Sequence, residues 1–440
     1  MRTGCDGDPA RRDRLGARPA SLEAMRPISA AVAIAGVALL AALILALISR
    51  TPGDVRRAEA PDEATDSSQG ATFTDEQIAR HGAYREAAYS LFALSLVVEV
   101  FALVILIRGP AGRMVDWLQP VPGGWAARAA LLGAIVSVLL ALSSIPLGYV
   151  FGYVVQHAWG LSNQAIGDWL TDRARSTAIA AAFAAFAAVV FFGVVRWQPR
   201  SWWLWGWATF TLLTAALSFL WPVLIAPLFN RFTPLPEGPL RTRVLTLARE
   251  AGVDVGEVYV IDASKRSSIE NAYVAGLGST KQMVLFDTLI EADDEDATAF
   301  VVAHELGHQV EGHVLKNVAI ASAGMLLGFG ALVWLAQRPG VLSWVGASGI
   351  SDLRILPAIL LFVLLANLVA LPAQNLLSRW FEARADEIAL DLTNDPATAT
   401  RVFRRLAFAN LSDLRPPRLA VTMLFTHPPI ASRIDSATSR

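Results

Sequence analysis

Cysteine is nearly absent from this 440-residue sequence, in which Cys5 is the only one. A single cysteine excludes a framework of disulfides within the chain and a zinc site built on cysteine thiolates. Lysine is also scarce, because only Lys265, Lys281 and Lys316 accompany 34 arginines among the 37 basic residues. This preference for arginine, together with abundant alanine, is typical of GC-rich coding sequences and indicates a bacterial source.

Charged residues of either sign make up only 17% of the sequence, while hydrophobic residues make up 54%. A soluble globular protein has about 25% charged residues, so this composition indicates a membrane protein. The net charge of −1 gives no information about partners, and no run of basic residues suggests a nucleic-acid partner.

The apolar residues are clustered in seven stretches, each long enough for a helix to cross a bilayer core, which takes about 20 residues. Because lipid offers backbone groups no hydrogen-bond partners, these stretches are expected to be helices. Core helices of a large soluble protein are the weaker alternative, since they seldom stay apolar over such lengths. The predicted spans are residues 28–49, 89–107, 129–155, 176–195, 201–229, 317–336 and 353–377.

The first 27 residues are rich in arginine and lack periodic apolar positions. They are therefore predicted to be a disordered tail, or the product of a start assigned upstream of Met25. The apolar run that follows is longer than the usual core of a signal peptide, so residues 28–49 are expected to be a membrane anchor.

Two longer polar regions, residues 230–316 and 378–440, are separated by two predicted spans and hence lie on the same side of the membrane. We expect a five-helix membrane domain over residues 28–229. A second domain, over residues 230–440, would contain the last two spans and a small α+β unit. Within that unit the sequence predicts a helix over 239–252, a strand in EVYVIDAS and a hairpin in NAYVAGLGSTKQMVLFDTLI, where glycines supply the turn.

The segment HELGH, residues 304–308, offers zinc ligands on a predicted helix. His304 and His308 are four residues apart and stand on one helical face, so both imidazoles can reach one zinc ion. Glu305 is placed to act as general base on a water molecule. No proline occurs from Asp293 to Arg338, so a helix capped near Asp293 or Asp294 is predicted to continue directly into the sixth span. On such a helix His313 would face away from the metal.

Catalytic zinc normally has three protein ligands, so a third must come from elsewhere in the chain. The segment SRWFEARADEIAL, residues 378–390, places Glu382 and Asp386 on one face of a predicted helix. Glu382 can bind the metal while Asp386 accepts a hydrogen bond from a ligating histidine. Taken alone, such an acidic pair is equally typical of a solvent-exposed helix face that binds no metal.

These segments resemble those of the type I CAAX prenyl endopeptidases, a family of seven-span integral-membrane zinc metallopeptidases. The resemblance extends from about residue 80 to the C-terminus, and SRWFEARAD looks like the family's Ser-Arg-x-x-Glu-x-x-Ala-Asp signature. The segments that carry it are HELGH, SRWFEARAD, NAYVAGLGSTKQMVLFDTLI, LFNRFTPLP, WGLSNQAIGDWL and THPPIASRI.

The resemblance implies a multi-spanning α-helical membrane protein with a small gluzincin-like zinc protease domain. It implies that one Zn²⁺ per chain is bound by His304, His308 and Glu382, with Glu305 as the base and Asp386 hydrogen-bonded to a ligand. The substrate would be a peptide or a membrane protein, and membrane lipid would be a further partner. The family orientation puts the active site in the cytoplasm, whereas the arginine-rich N-terminal tail argues for the reverse; we expect the family orientation, in a bacterial cell membrane.

The same resemblance suggests roles for four further residues. His427 and Arg433 would face the cleft and donate hydrogen bonds to the oxyanion or to the substrate chain; a turn histidine and a surface arginine are the alternative. Asn271 and Tyr273 would belong to an edge strand that binds the substrate as an added strand, although they can also be ordinary strand residues. Glu99, inside a predicted span, marks either a functional site or a packing contact.

Two other functions remain open from the sequence. An intramembrane protease of the site-two type also uses HExxH, but HELGH follows the charged segment EADDEDATAF, which places the metal at the membrane surface. A metal-sensing transporter or receptor is compatible with seven spans, but it has no need of Glu305.

Overall fold

The computed structural model describes residues 72–276, 281–291 and 294–440. All of them belong to one compact unit. The expectations for the N-terminal tail and for the span at 28–49 lie outside the described residues. The principal helices are α1 (Asp75–Arg108), α2 (Pro110–Trp117), α3 (Gly124–Tyr149), α4 (Ile166–Trp197), α5 (Trp202–Leu220), α6 (Pro239–Glu250), α7 (Asp287–Glu291), α8 (Glu295–Val310), α9 (His313–Ala336), α10 (Pro339–Val345), α11 (Leu356–Thr393), α12 (Pro396–Ala409), α13 (Arg418–Leu424) and α14 (Ile430–Thr438).

Six helical stretches of the described chain are long and apolar enough to cross a bilayer. Each overlaps one of the six spans predicted after residue 49, so that part of the fold prediction is confirmed. Large apolar side chains on them face outward, as at Leu212, Leu327 and Val369, which suits lipid surroundings. The six stretches are Asp75–Arg108, Gly124–Ala158, Ile166–Trp197, Trp202–Leu228, His313–Ala336 and Leu353–Thr393.

A close helix contact organises the membrane part. Gly133 of α3 lies against the α4 backbone, so that a Cβ built on it would be 2.6 Å from the carbonyl oxygen of Ala184. Small residues allow such approaches between helices in lipid, where packing replaces the hydrophobic effect as the driving force. The core formed around α3 and α4 includes Leu132, Val136, Ala188 and Phe192.

Outside the spans, the described residues form a four-stranded sheet in the order β1-β2-β4-β3. The strands are β1 (Phe232–Pro234), β2 (Glu257–Ile261), β3 (Ala272–Ala275) and β4 (Gln282–Phe286). Strands β2 and β4 are parallel, and β3 and β4 form the predicted antiparallel hairpin. Strand β3 is therefore an edge strand, and α8 packs against it.

One face of this sheet packs against α6 and α8, because the alternate residues of β4 and one stripe of each helix are apolar. The shared core contains Val244, Leu247, Met283, Leu285, Val302 and Leu306. This packing fixes α8, which carries HELGH, relative to the edge strand.

The helix that carries HELGH does not continue into the next span, which corrects the prediction of one helix from Asp293 or Asp294 to Arg338. Helix α8 begins after Asp294, whose side chain accepts a hydrogen bond from the Ala297 amide, and it ends at Val310. Gly312 then adopts the left-handed conformation, with φ of 63°, and α9 begins at His313. A glycine in this conformation ends a helix as effectively as a proline does, so the lack of proline was an insufficient signal.

Helix α11 is 38 residues long and joins the last span directly to the segment with Glu382 and Asp386. Its extramembrane end shares a core with α8, α12 and α14, which brings the regions 230–316 and 378–440 together. This core includes Phe300, Ala303, Ala389, Val402, Phe403 and Ile434. The domain boundary between residues 229 and 230 stays a prediction.

Candidate metal centre and active site

Three of the predicted metal ligands converge in the structure. His304 and His308 project from one face of α8, and Glu382 projects toward them from α11. One ligand atom of each lies within 4.8 Å of the other two. His304 and Glu382 are buried, each with 8% of its surface exposed, so their polar atoms depend on one another rather than on water.

The distances among these groups suit a shared cation. Oε2 of Glu382 lies 3.2 Å from Nε2 of His304 and 3.2 Å from Nε2 of His427, and Nε2 of His308 lies 3.5 Å from Oε1. Within the described chain, Oε2 is nevertheless buried without a hydrogen bond of acceptable geometry. Two imidazoles and one carboxylate form a donor set typical of a protease zinc ion. The residues therefore fit the metal that the pattern predicts.

Asp386 orients His304 from the next turn of α11. Nδ1 of His304 lies 2.8 Å from Oδ1 of Asp386, and a proton donated there leaves Nε2 free to bind a metal. Burial lowers the pKa of His304, but the neighbouring carboxylates of Asp386 and Glu382 raise the pKa to about 10. The same negative surroundings would favour a metal cation between these side chains.

Arg433 of α14 holds Asp386 in place. Its Nε donates to Oδ2 at 2.8 Å and its Nη2 donates to Oδ1 at 2.6 Å, a two-pronged geometry that suits a guanidinium and a carboxylate. The guanidinium also lies over the ring of Phe403, 4.4 Å from its centroid. Arg433 thus lines the site and is anchored there.

His313 contacts the metal centre, contrary to the expectation that it would face away. Its Nδ1 lies 2.9 Å from Nδ1 of His308, and its ring stacks on Phe381 with centroids 4.2 Å apart. The reason is the helix break, because the left-handed turn at Gly312 changes the direction in which the next residue points. The glycine before His313 was the signal in the sequence that could have indicated this.

Glu305 lies beside the predicted ligands and lines a small cavity. Burial raises the pKa of its carboxyl, and the histidines of the site oppose this shift. The cavity has a volume of about 90 Å³ and opens between α8, α12 and the C-terminal segment. Its walls also contain Asn271, His304, His427 and Arg433. A carboxyl with a raised pKa is suited to accept and release a proton.

The remaining predicted residues lie at different distances from the centre. His427 faces the cavity, although 55% of its side chain is exposed. Asn271 immediately precedes the edge strand and also lines the cavity. Tyr273 lies within β3, opposite Val284 of β4, and does not line the cavity. Glu99 is exposed on α1, and it is distant in sequence from every residue of the site.

Taken together, six apolar helices of the described chain and a His-His-Glu group beside the carboxyl group of Glu305 define a metallopeptidase anchored in a membrane. Comparison with known proteins identifies the family. A family model described as peptidase family M48 matches residues 234–440, and one described as CAAX prenyl protease N-terminal, five membrane helices, matches residues 55–231. The chain belongs to peptidase family M48.

Individual relatives agree with this assignment. An uncharacterized metalloprotease, YhfN of Bacillus subtilis, is 31% identical over 362 residues, which cover 80% of this chain and 84% of the relative. CAAX prenyl protease 1 of Saccharomyces cerevisiae is 29% identical over 320 residues, 69% of this chain and 70% of the relative. The crystal structure of S. mikatae Ste24p has the same fold, with a TM-score of 0.74 at 23% identity, covering 92% of this chain and 97% of that one.

Family membership settles the class among the functions that the sequence left open. The protein is an integral membrane metalloendopeptidase, and neither a site-two type protease nor a non-enzymatic sensor. Its metal dependence follows from the family and from the convergent His304, His308 and Glu382.

Proposed function

We propose that this protein binds one Zn²⁺ per chain through His304, His308 and Glu382 and cleaves peptide bonds in membrane or membrane-associated proteins. The observation that carries the proposal is the convergence of these three side chains within 4.8 Å, next to the half-buried Glu305. The division into a membrane domain up to residue 229 and a protease domain over residues 230–440 is part of the same proposal.

Zinc, when bound, would act as a Lewis acid on the substrate carbonyl and favour ionisation of water. Glu305 removes the proton of the attacking water and delivers it to the leaving amine, which its raised pKa permits. Asp386 keeps the proton of His304 on Nδ1, so that Nε2 stays available as a ligand.

His427 and Arg433 are proposed to donate to the substrate carbonyl oxygen as negative charge develops on it. His427 has one exposed face toward the cavity, so it is accessible to a substrate. Arg433 already donates to Asp386 through Nε and Nη2, so only its remaining N–H groups are available. This favours His427 as the principal donor and Arg433 as the group that positions Asp386.

The substrate is proposed to bind as an added strand along β3, the edge of the sheet. Asn271 immediately precedes this strand, and Tyr273 is its second residue. Asn271 also lines the cavity, as Glu305 does. Backbone hydrogen bonds supply most of the affinity in this mode of binding. We therefore expect a protease that accepts many sequences.

We infer that the protein resides in a bacterial cell membrane with its active site facing the cytoplasm. Several relatives are named CAAX prenyl protease 1 or its homolog, and this name indicates prenylated substrates. Prenylated substrates are not expected in a bacterium, so we propose quality control or maturation of membrane proteins instead.

The test is to replace Glu305 by Gln in the full-length protein and to measure zinc content and peptide hydrolysis. We expect hydrolysis to fall by about 10²- to 10⁴-fold, the range for loss of a general base, with one zinc per chain retained. Glu295→Gln, an exposed position on the same helix, is the matched control and should leave both unchanged. Hydrolysis within a few-fold of wild type in Glu305→Gln would refute the mechanism.

The substrates can be captured in cells with the Glu305→Gln protein and identified by mass spectrometry, against a His304→Ala protein that lacks a ligand. We expect several membrane proteins to be enriched. Enrichment of a single lipidated protein would argue against quality control.

A further inference from the structure

Glu270 is an acidic residue at the active-site cavity that the mechanism does not use. It immediately precedes Asn271 and the edge strand β3, and it lines the same cavity as His304 and Glu305. Its side chain is only 11% exposed. A carboxylate in so buried a place requires a partner or a function.

Arg405 of α12 is the partner, but it engages only one of the two carboxylate oxygens. Nε of Arg405 donates to Oε2 of Glu270 at 2.9 Å, and Nη2 lies 2.7 Å from the same oxygen. Across the part of the chain that the structure describes, Oε1 accepts no hydrogen bond. Arg433, by contrast, donates to both carboxylate oxygens of Asp386.

Six of the residues that line the cavity are apolar. Besides Glu270, the carboxyl and guanidinium groups in the lining are those of Glu305 and Arg433, and the charge of Arg433 is balanced by Asp386. Burial raises the pKa of the Glu270 carboxyl, and the Arg405 guanidinium opposes this shift. The apolar side chains of the lining are Leu289, Phe300, Val301, Val402, Phe403 and Leu406.

The size of the cavity limits what it can hold. A volume of about 90 Å³ is several times the minimum of about 10 to 15 Å³ that admits one water molecule. A side chain of a few heavy atoms fits such a space. Because Glu305 and His304 line the cavity, a side chain inside it belongs to a residue next to the bond that is cut.

We propose that Glu270 is a specificity-determining residue of this protease. The cavity receives a substrate side chain beside the scissile bond. Oε1 of Glu270 favours a side chain with a hydrogen-bond donor and disfavours a carboxylate. This inference rests on the proposed function, because it assumes that peptides are cleaved at this site. The substrate class is thus a polypeptide with a short neutral or donor-bearing residue at that position, such as Asn or Thr.

The physical basis is the difference between three side chains of nearly equal shape. Asn offers an N–H to Oε1 and pairs it, while Leu leaves Oε1 unpaired but fits the apolar walls. Asp brings a second negative charge toward a buried carboxylate and loses its own hydration. Sites with buried polar groups discriminate most strongly against ligands that leave those groups unpaired or repelled.

The experiment uses the full-length zinc-loaded protein in detergent and a peptide library whose cleavage sites are read by mass spectrometry. Peptides that differ only in Leu, Asn or Asp at either residue flanking the cut are then compared by kcat/KM. At one flanking position we expect wild type to cleave the Asn peptide at least about tenfold faster than the Asp peptide. In Glu270→Gln, whose amide can donate to a carboxylate, this ratio should fall to about threefold or less, with zinc content unchanged. Glu250→Gln, an exposed position on α6, should keep the wild-type ratio.

Equal cleavage of the Asn and Asp peptides by wild type would overturn the inference, and so would an unchanged ratio in Glu270→Gln. If Glu270→Gln does not retain zinc, the wild-type series and Glu270→Asp decide the question. The shorter acid keeps the charge opposite Arg405 and withdraws the carboxylate by one methylene, so it should shift preference from Asn toward Gln, and an unshifted preference refutes the role of Glu270. Failure of the proposed function has a different signature, namely that zinc-loaded wild type cleaves no peptide or that Glu305→Gln cleaves as wild type does.

Discussion

The two helices that carry the proposed metal ligands differ in length, in surroundings and in how these side chains are fixed. Helix α8 has 16 residues, lies between the sheet and the C-terminal helices, and carries His304 and His308 one turn apart. Helix α11 has 38 residues, of which the first part is a membrane span, and presents Glu382 beyond the span. The histidine pair is fixed by the helical period alone. The position of Glu382 relative to that pair depends entirely on packing between the helices.

A single glycine controls that packing. Gly307 lies between the two histidines on α8, and a Cβ built on it would be 3.0 Å from both Cα and the carbonyl oxygen of Ala385 on α11. Ala385 is fully buried and lies between Glu382 and Asp386 on α11. The HELGH segment thus supplies two ligands and also the small surface against which the third ligand's helix rests.

The largest effect is expected when Glu382, the proposed ligand on α11, is removed. Glu382→Ala should lose bound zinc and peptide hydrolysis together, to the same extent as His308→Ala, because either change leaves two ligands. Zinc content by elemental analysis and peptide hydrolysis check this. Glu387→Ala, on the same helix, is the control and should keep both. Zinc retained in Glu382→Ala would show that the third ligand lies elsewhere.

A smaller effect is expected when the helices are forced apart with all three ligands intact. Gly307→Ala places a methyl group against the α11 backbone, and overpacking of this kind costs about 1 to 3 kcal/mol. A displacement of about 1 Å in a catalytic site can cost about 10²-fold in rate, so we expect hydrolysis to fall by roughly that factor and zinc to bind more weakly. Gly324→Ala on α9, where a Cβ meets nothing within 4 Å, should leave zinc affinity and hydrolysis near wild type. Wild-type activity in Gly307→Ala would show that the contact does not position Glu382.

The smallest effect is expected when only the orientation of a ligand is disturbed. Asp386→Ala should weaken zinc affinity or activity by about 10- to 100-fold, the range for partners that orient ligands, because His304 then loses the acceptor of its Nδ1 proton. Thermal unfolding of the same protein separates this from instability, since Arg433 also loses its partner. Asp391→Ala, an exposed position on α11, should change neither. An effect as large as that of Glu382→Ala would instead make Asp386 a ligand.

The helical spans and the ligand pair were predictable because both depend on spacing within one segment. The hydrophobic length of each span and the four-residue interval between the histidines of HELGH depend only on the local sequence and not on packing against other segments. The continuous helix from α8 into α9 was wrong, because one left-handed glycine, Gly312, outweighs a long stretch without proline. The misplacement of His313 followed from that error.

The sequence by itself determined that this protein crosses a membrane with apolar helices, and it offers two histidines and a glutamate as candidate metal ligands and a second glutamate as candidate base. Only the tertiary structure decided which distant groups meet: Arg433 with Asp386, His313 with His308, and Arg405 with one oxygen of Glu270. The reason is that periodicity is a local property of the chain. Contacts between residues far apart in sequence depend on how closely the helices approach one another, as at Gly307 and Ala385. No periodic pattern in the sequence predicts that distance.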